Sequence, residues 1–164
     1  GLNLLGPGRE SVLEGLYDSN LLRGVWRDDC GVDHQDETPA RLKFEAAKDH
    51  TMWHGLYFGG TAFKTQREVS LANLPDVTRR AMAYVDVVTT SGVATGVAAP
   101  VEKIRVMREA LGAHPLGLAS GVTPDNVGAY LPHVDAFLVA SGIESSFGVL
   151  DPVKVRDLAK SIHS

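Results

Sequence analysis

Two Ser-Gly pairs, Ser120-Gly121 and Ser141-Gly142, each follow a short apolar run, Leu116 to Ala119 and Ala136 to Ala140. Glycine lets a backbone approach a ligand closely, a serine hydroxyl donates or accepts hydrogen bonds, and free N–H groups at a strand-to-helix turn favour an anion. A single Ser-Gly marks only a turn, but its recurrence at successive strand ends points to a phosphate grip. A third loop, Thr89-Thr90-Ser91-Gly92 through Thr95-Gly96, is equally small and hydroxyl-rich. It reads either as a cover over a phosphate or ribose, with Ser91 and Gly92 as contacts, or as a lid with glycine hinges.

Upstream, a run from Gly55 to Phe58 leaves through Gly59-Gly60 and delivers Lys64 towards the same rim. A lysine there can pair a phosphate, polarise a carbonyl or, if desolvated, form a Schiff base; Arg67 is an alternative anion partner. Earlier still, Trp26-Arg27-Asp28-Asp29-Cys30-Gly31-Val32-Asp33-His34 closes another apolar run. Carboxylates close together raise one another's pKa, so Asp28 and Asp29 are candidates for acid–base work, or for binding Mg²⁺. The expected catalytic set is therefore Asp28, Asp29 and Lys64. The expected phosphate set is Ser91, Gly92, Ser120, Gly121, Ser141 and Gly142. Zinc is not expected, because Cys30 and His34 lack a second Cys/His pair, and His50 and His54 flank Trp53 on the approach to a strand. A lone cysteine reads as a small buried hydrophobe.

These residues need a scaffold that brings strand ends together. Six short apolar runs, Leu2 to Leu5, Leu22 to Trp26, Gly55 to Phe58, Val85 to Thr89, Leu116 to Ala119 and Ala136 to Ala140, alternate with amphipathic stretches. Helices are expected over 9–19, 40–48, 71–83, 100–111, 123–131 and 152–162. The fourth carries Val101, Ile104, Val106, Met107 and Leu111 on an apolar face, with Glu102, Lys103, Arg105, Arg108 and Glu109 towards water. Asp151 is placed to cap the last helix ahead of Pro152, while Asp86 falls at the start of its strand, the end that serves stability. The pattern is that of β/α units on a parallel sheet, in one domain spanning residues 1–164. Six units are two short of a closed (β/α)₈ barrel of about 250 residues. Either the first two units are missing from a TIM-barrel type fold, or the sheet is open and doubly wound.

The 164 residues carry 16 basic and 20 acidic side chains, a formal charge of −4, which leaves no electrostatic footprint for nucleic acid or an anionic membrane. No apolar run approaches the roughly 20 residues of a spanning helix, so no membrane insertion is expected. One cysteine and no secretory signal make the cytoplasm the expected compartment. A first residue other than Met implies a fragment or a processed product.

The ordered set Gly1 to Leu5, Val85 to Gly96, Ala119 to Val127 and Asp135 to Ile143 resembles the BtpA/SgcQ family of (β/α)₈ barrels, over nearly the whole chain and most strongly from Val85 onward. The resemblance implies that Gly1 stands at the third strand and that the first two units are absent. Of the residues that follow the family's fifth strand, Lys64 alone carries over. The stretch Ser120 to Val127 is also similar to the phosphate loops of phosphoribosylanthranilate isomerase and related barrels, which implies a phosphorylated small molecule as ligand.

The expectation is thus an enzyme acting on a phosphorylated sugar or nucleotide-like metabolite. The alternative, which the family's role in photosystem I assembly implies, is a non-catalytic assembly or regulatory factor with a vestigial anion site. An incomplete sheet has unpaired edges, so a homo-oligomer or a complementing N-terminal segment is also expected.

Overall fold

The computed structural model describes residues 2–3, 23–33 and 55–163. Six strands form one parallel sheet: β1 (Leu2–Asn3), β2 (Gly24–Arg27), β3 (Leu56–Gly60), β4 (Val87–Ser91), β5 (Leu116–Ala119) and β6 (Ala136–Leu138). Their spatial order is their order in the chain, and every pairing is parallel. A doubly wound sheet reverses its strand order at a switch point. This one never does, so the fold is a partial (β/α)₈ barrel and the doubly wound alternative is excluded.

Alternation along the strands sorts the side chains onto two faces. Val25, Tyr57, Val88, Leu116 and Leu118 belong to one buried cluster with Leu74, Ile104 and Met107 of the covering helices. The opposite face carries Trp26, Phe58, Val87 and Thr89, with Gly117 and Ala119 opposite Thr89 and Ser91. On this face the side chains are large on β2 and β3 and small on β5. Leu74, Ile104, Met107, Leu116 and Leu118 are fully buried, each contributing about 1.5–3 kcal/mol relative to exposure.

Three helices are described: α1 (Leu74–Met82), α2 (Val101–Leu111) and α3 (Pro152–His163). Asp151 caps α3 as expected, its Oδ1 accepting from the Val153 amide at 2.9 Å. The helices expected over 9–19 and 40–48 lie outside the described residues.

The helix expected over 123–131 does not form. Thr123 and Asn126 bond each other's backbone, with the Thr123 amide donating to Asn126 Oδ1 at 2.8 Å, and only a three-residue 3₁₀ turn follows at Val127–Ala129. Side chains that satisfy a turn locally compete with helix formation. A short antiparallel hairpin unforeseen in the sequence, β7 (Glu144–Ser146) and β8 (Val149–Leu150), follows β6 and leaves Phe147 fully exposed.

The N-terminal ends of the strands serve stability. The Asp86 carboxylate accepts from the Tyr57 amide at 2.7 Å, and Asp135 accepts from the Leu116 amide at 2.8 Å, so each aspartate ties its own strand to the one before. Arg108 donates to Asp135 and to the carbonyls of His133, Gly112 and His114. It is therefore a half-buried organiser of this end, and its expected place facing water is corrected. No helix among the described residues is long and apolar enough to cross a membrane.

Candidate active site at the strand ends

At the C-terminal ends of the strands, glycines let neighbouring segments pack closely on one another. Gly121, with φ 70°, lies so close to the loop after β4 that a Cβ would overlap the Val97 carbonyl and the Ala98 nitrogen. A Cβ on Gly142 would overlap the Val122 carbonyl, and one on Gly92 the Val97 carbonyl. Gly92 therefore closes the loop after β4 on itself, while Gly121 and Gly142 stack three loops into one rim. Gly60 does the same between β2 and β3, where a Cβ would overlap the Asp28 carbonyl.

Lys64 joins the rim from β3. Its Nζ donates to Ser120 Oγ at 2.9 Å and to Thr95 Oγ1 at 3.0 Å, and its backbone amide donates to Ser91 Oγ at 2.9 Å. Residues 31 and 56 positions from Lys64 in the chain thus meet at its ammonium. Ser91 is fully buried and also donates to the Gly92 carbonyl, while Ser141 is exposed, its Oγ 3.7 Å from where a Cβ on Gly96 would stand. Ser120 has φ 68°, a left-handed backbone uncommon outside glycine.

The two aspartates differ. Asp28 is half-buried, and its Oδ1 is buried with no hydrogen-bond partner. Burial pushes its carboxyl above the usual carboxylate range, against the opposing pull of the Lys64 charge. Asp29 is exposed, and its Oδ1 accepts from the Gly31 amide at 2.7 Å and from Gln66 Nε2 at 2.6 Å. That pattern is a loop closure; the unsatisfied carboxylate is Asp28. Trp26 lies two residues before it, its Nε1 also buried without a partner, its ring edge-on to Phe63 at 6.1 Å.

Cys30 is buried as expected, with Sγ 3.0 Å from Thr61 Oγ1, and burial raises its thiol pKa. Arg67, offered as an alternative anion partner, pairs with Asp33 at 3.1 Å. His34, His50 and His54 lie outside the described residues. Among the described residues, no three His, Cys, Asp or Glu side chains converge on a common point that would hold a metal.

Beside the rim, between the loops after β3 and β4, lies a cleft of about 440 Å³. Lys64, Arg67, Ser91, Gly92 and Lys103 are among its lining residues, whereas Ser120 and Ser141 are not. Lys103, expected to face water, is instead half-buried and donates to the Ala62 and Ser91 carbonyls at 2.6 and 2.8 Å. Lys103 stands four and eight residues before Met107 and Leu111, on the edge of the apolar stripe of α2.

No protein-family model matches the chain. N-(5'-phosphoribosyl)anthranilate isomerase of Geotalea uraniireducens (strain Rf4) is 50% identical over 48 residues, 28% of this chain and 24% of that protein, so the match spans about a quarter of the relative. The phosphoribosyl anthranilate isomerase of Thermus thermophilus superposes with a TM-score of 0.65 at 16% identity, covering 99% of this chain and 70% of that one. That of Thermococcus kodakaraensis gives 0.59 at 20% identity, covering 94% and 70%. These similarities run to phosphoribosylanthranilate isomerases, and the expected kinship with the BtpA/SgcQ family is corrected accordingly. Both superpositions show the same α/β barrel architecture, with this chain's six parallel strands forming part of the ring.

Proposed function

We propose that the chain is an enzyme acting on a phosphorylated small molecule, a phosphoribosyl compound in the first instance, with the phosphate held on the stacked rim. The observation that carries this reading is the Lys64 ammonium donating to Ser120 at the glycine-lined rim. A cation with hydroxyl and backbone N–H donors around it is the chemistry that holds a phosphate. Gly92, Ser120, Gly121, Ser141 and Gly142 form the grip, Ser91 supports it through a buried hydroxyl engaged with the Lys64 amide and the Gly92 carbonyl, and Lys64 supplies the counter-charge.

Asp28 is the proton-transfer group. A carboxyl whose pKa is raised by burial, with an oxygen left unpartnered, is suited to exchange a proton with a bound substrate. Asp29 supports the loop that presents it. The names of the curated relative and of the two solved neighbours specify a phosphoribosylated substrate, which supports the choice of ligand class. The assembly-factor alternative rested on the kinship now corrected.

The test is thermal unfolding with ribose 5-phosphate, inorganic phosphate and ribose. Ligand that binds the folded state alone raises Tm by mass action. The first two should raise it in the wild type, ribose should not, and Lys64→Ala should lose most of the shift. No shift with either phosphate compound in the tens of millimolar, or an undiminished shift in Lys64→Ala, defeats the assignment.

A further inference from the structure

Two lysines stand on the cleft, Lys64 and Lys103. Lys64 Nζ is engaged with two hydroxyls at the rim, one of those contacts exposed. Lys103 is built otherwise. It is the third residue of α2, so its amine lies near the positive end of the helix dipole, which disfavours an ammonium. It forms no ion pair with any carboxylate of the described residues: Glu102, its neighbour on the cleft wall, is held by Arg105 at 2.7 Å. The other charged groups lining the cleft are Glu68 and the two cations Lys64 and Arg67.

The hydrogen bonding of Lys103 fits a neutral amine. Nζ meets two acceptors, the carbonyls of Ala62 and Ser91. A neutral amine has two N–H bonds and one lone pair, so both hydrogens are used and the lone pair remains. An ammonium would bring a third N–H, which no acceptor among the described residues takes.

We propose that Lys103 is a carbonyl-reactive amine on the cleft between the loops after β3 and β4, and that it takes a small aldehyde or ketone carrying an anionic group as an imine. The Nζ lone pair forms a bond to the carbonyl carbon, and the C=O π pair moves to oxygen. The resulting carbinolamine loses its oxygen as water, which carries away the two amine protons in the net reaction, so that aldehyde plus amine gives imine plus water. On protonation the imine keeps one N–H, enough to hold one of the two carbonyls. The cleft volume of about 440 Å³ suits a small molecule, and Lys64 and Arg67 on its wall favour the anionic group. Burial supports the same chemistry by lowering the amine's pKa from 10.5 to about 8, which makes a substantial neutral fraction available near neutrality.

The experiment treats the whole chain at pH 7.5 with pyridoxal 5'-phosphate, an aldehyde bearing a phosphate, traps the imine with sodium borohydride and maps the modified lysines by peptide mass spectrometry. Lys103 should carry at least about tenfold more adduct at low reagent than the exposed Lys154 and Lys160, because a pKa lowered to about 8 leaves a substantial fraction of its amine neutral at pH 7.5. Lys103→Arg, which keeps donors for both carbonyls but is no nucleophile, should lose that adduct while melting as one cooperative transition. Adduct on Lys64 with Lys103 unmodified, or equal labelling of all lysines, overturns the proposal. The wild-type map alone decides this if the variant does not fold, and neither result depends on phosphate binding at Ser120.

Discussion

Lys64 Nζ donates to Ser120 Oγ across 2.9 Å, and the hydroxyl is presented to it from a backbone at φ 68°. A left-handed conformation costs a residue with a side chain about 1 kcal/mol, which here holds the hydroxyl on the rim. Ser120→Gly removes the strain and the hydroxyl together. We expect it to leave thermal stability unchanged or raised by up to about 1 kcal/mol while shrinking the phosphate-induced Tm shift. A variant that melts lower and keeps its full shift would show that the hydroxyl serves the fold alone.

Gly121 has no comparable latitude. Its φ of 70° and the Val97 backbone against its Cα leave no room for a methyl group. Gly121→Ala should destabilise the chain by at least about 2 kcal/mol, read as a lower urea midpoint at unchanged m-value.

The buried amine of Lys103 makes stability depend on alkaline pH. Its pKa falls from 10.5 to about 8 on folding, so between those values the unfolded chain holds a proton that the native chain has released. Stability contributed by this group therefore rises with pH from about 8 to about 10.5 and is flat below that window. Denaturant midpoints measured across the window should show the rise in the wild type and lack it in Lys103→Met. Parallel curves would mean that the amine titrates normally.

The opposite slope is expected from Asp28. Burial raises its carboxyl above 3.8, so just above that value the native state holds a proton that the unfolded state has lost, and stability falls as pH rises. Asp28→Asn removes the cost of an unpartnered buried carboxylate. It should be at least as stable as the wild type at pH 7 in urea titrations; a clear loss would place an undetected partner on that oxygen.

Much of the scaffold was legible because buried parallel strands announce themselves as apolar runs: each of the six expected strands overlaps an observed one, with ends that coincide or shift by at most two residues. Lys64 and Ser120 were placed on one rim by the rule that β/α loops gather at the strand ends. What sequence could not show was contact. The stretch Thr123 to Leu131 opens as a helix would, with Pro124 in first position behind Thr123, but the Thr123–Asn126 bonds satisfy its first turn in another way. Lys103 carries the charge of a surface residue on the edge of an apolar stripe, and only the packing of α2 decides which character prevails. The family resemblance misled because Ser-Gly strand ends answer to loop packing and anion chemistry that unrelated barrels share.

The stacked glycines have one more consequence. With Gly92 and Gly121 both seated on the loop around Val97, and Gly142 seated on Val122, the rim is ordered by the fold before any ligand arrives. Immobilising loops on association commonly subtracts from affinity. Here that entropy has already been given up during folding, so a small anion can be held with few contacts, and enlarging any one of these glycines should shift the neighbouring loops along with its own.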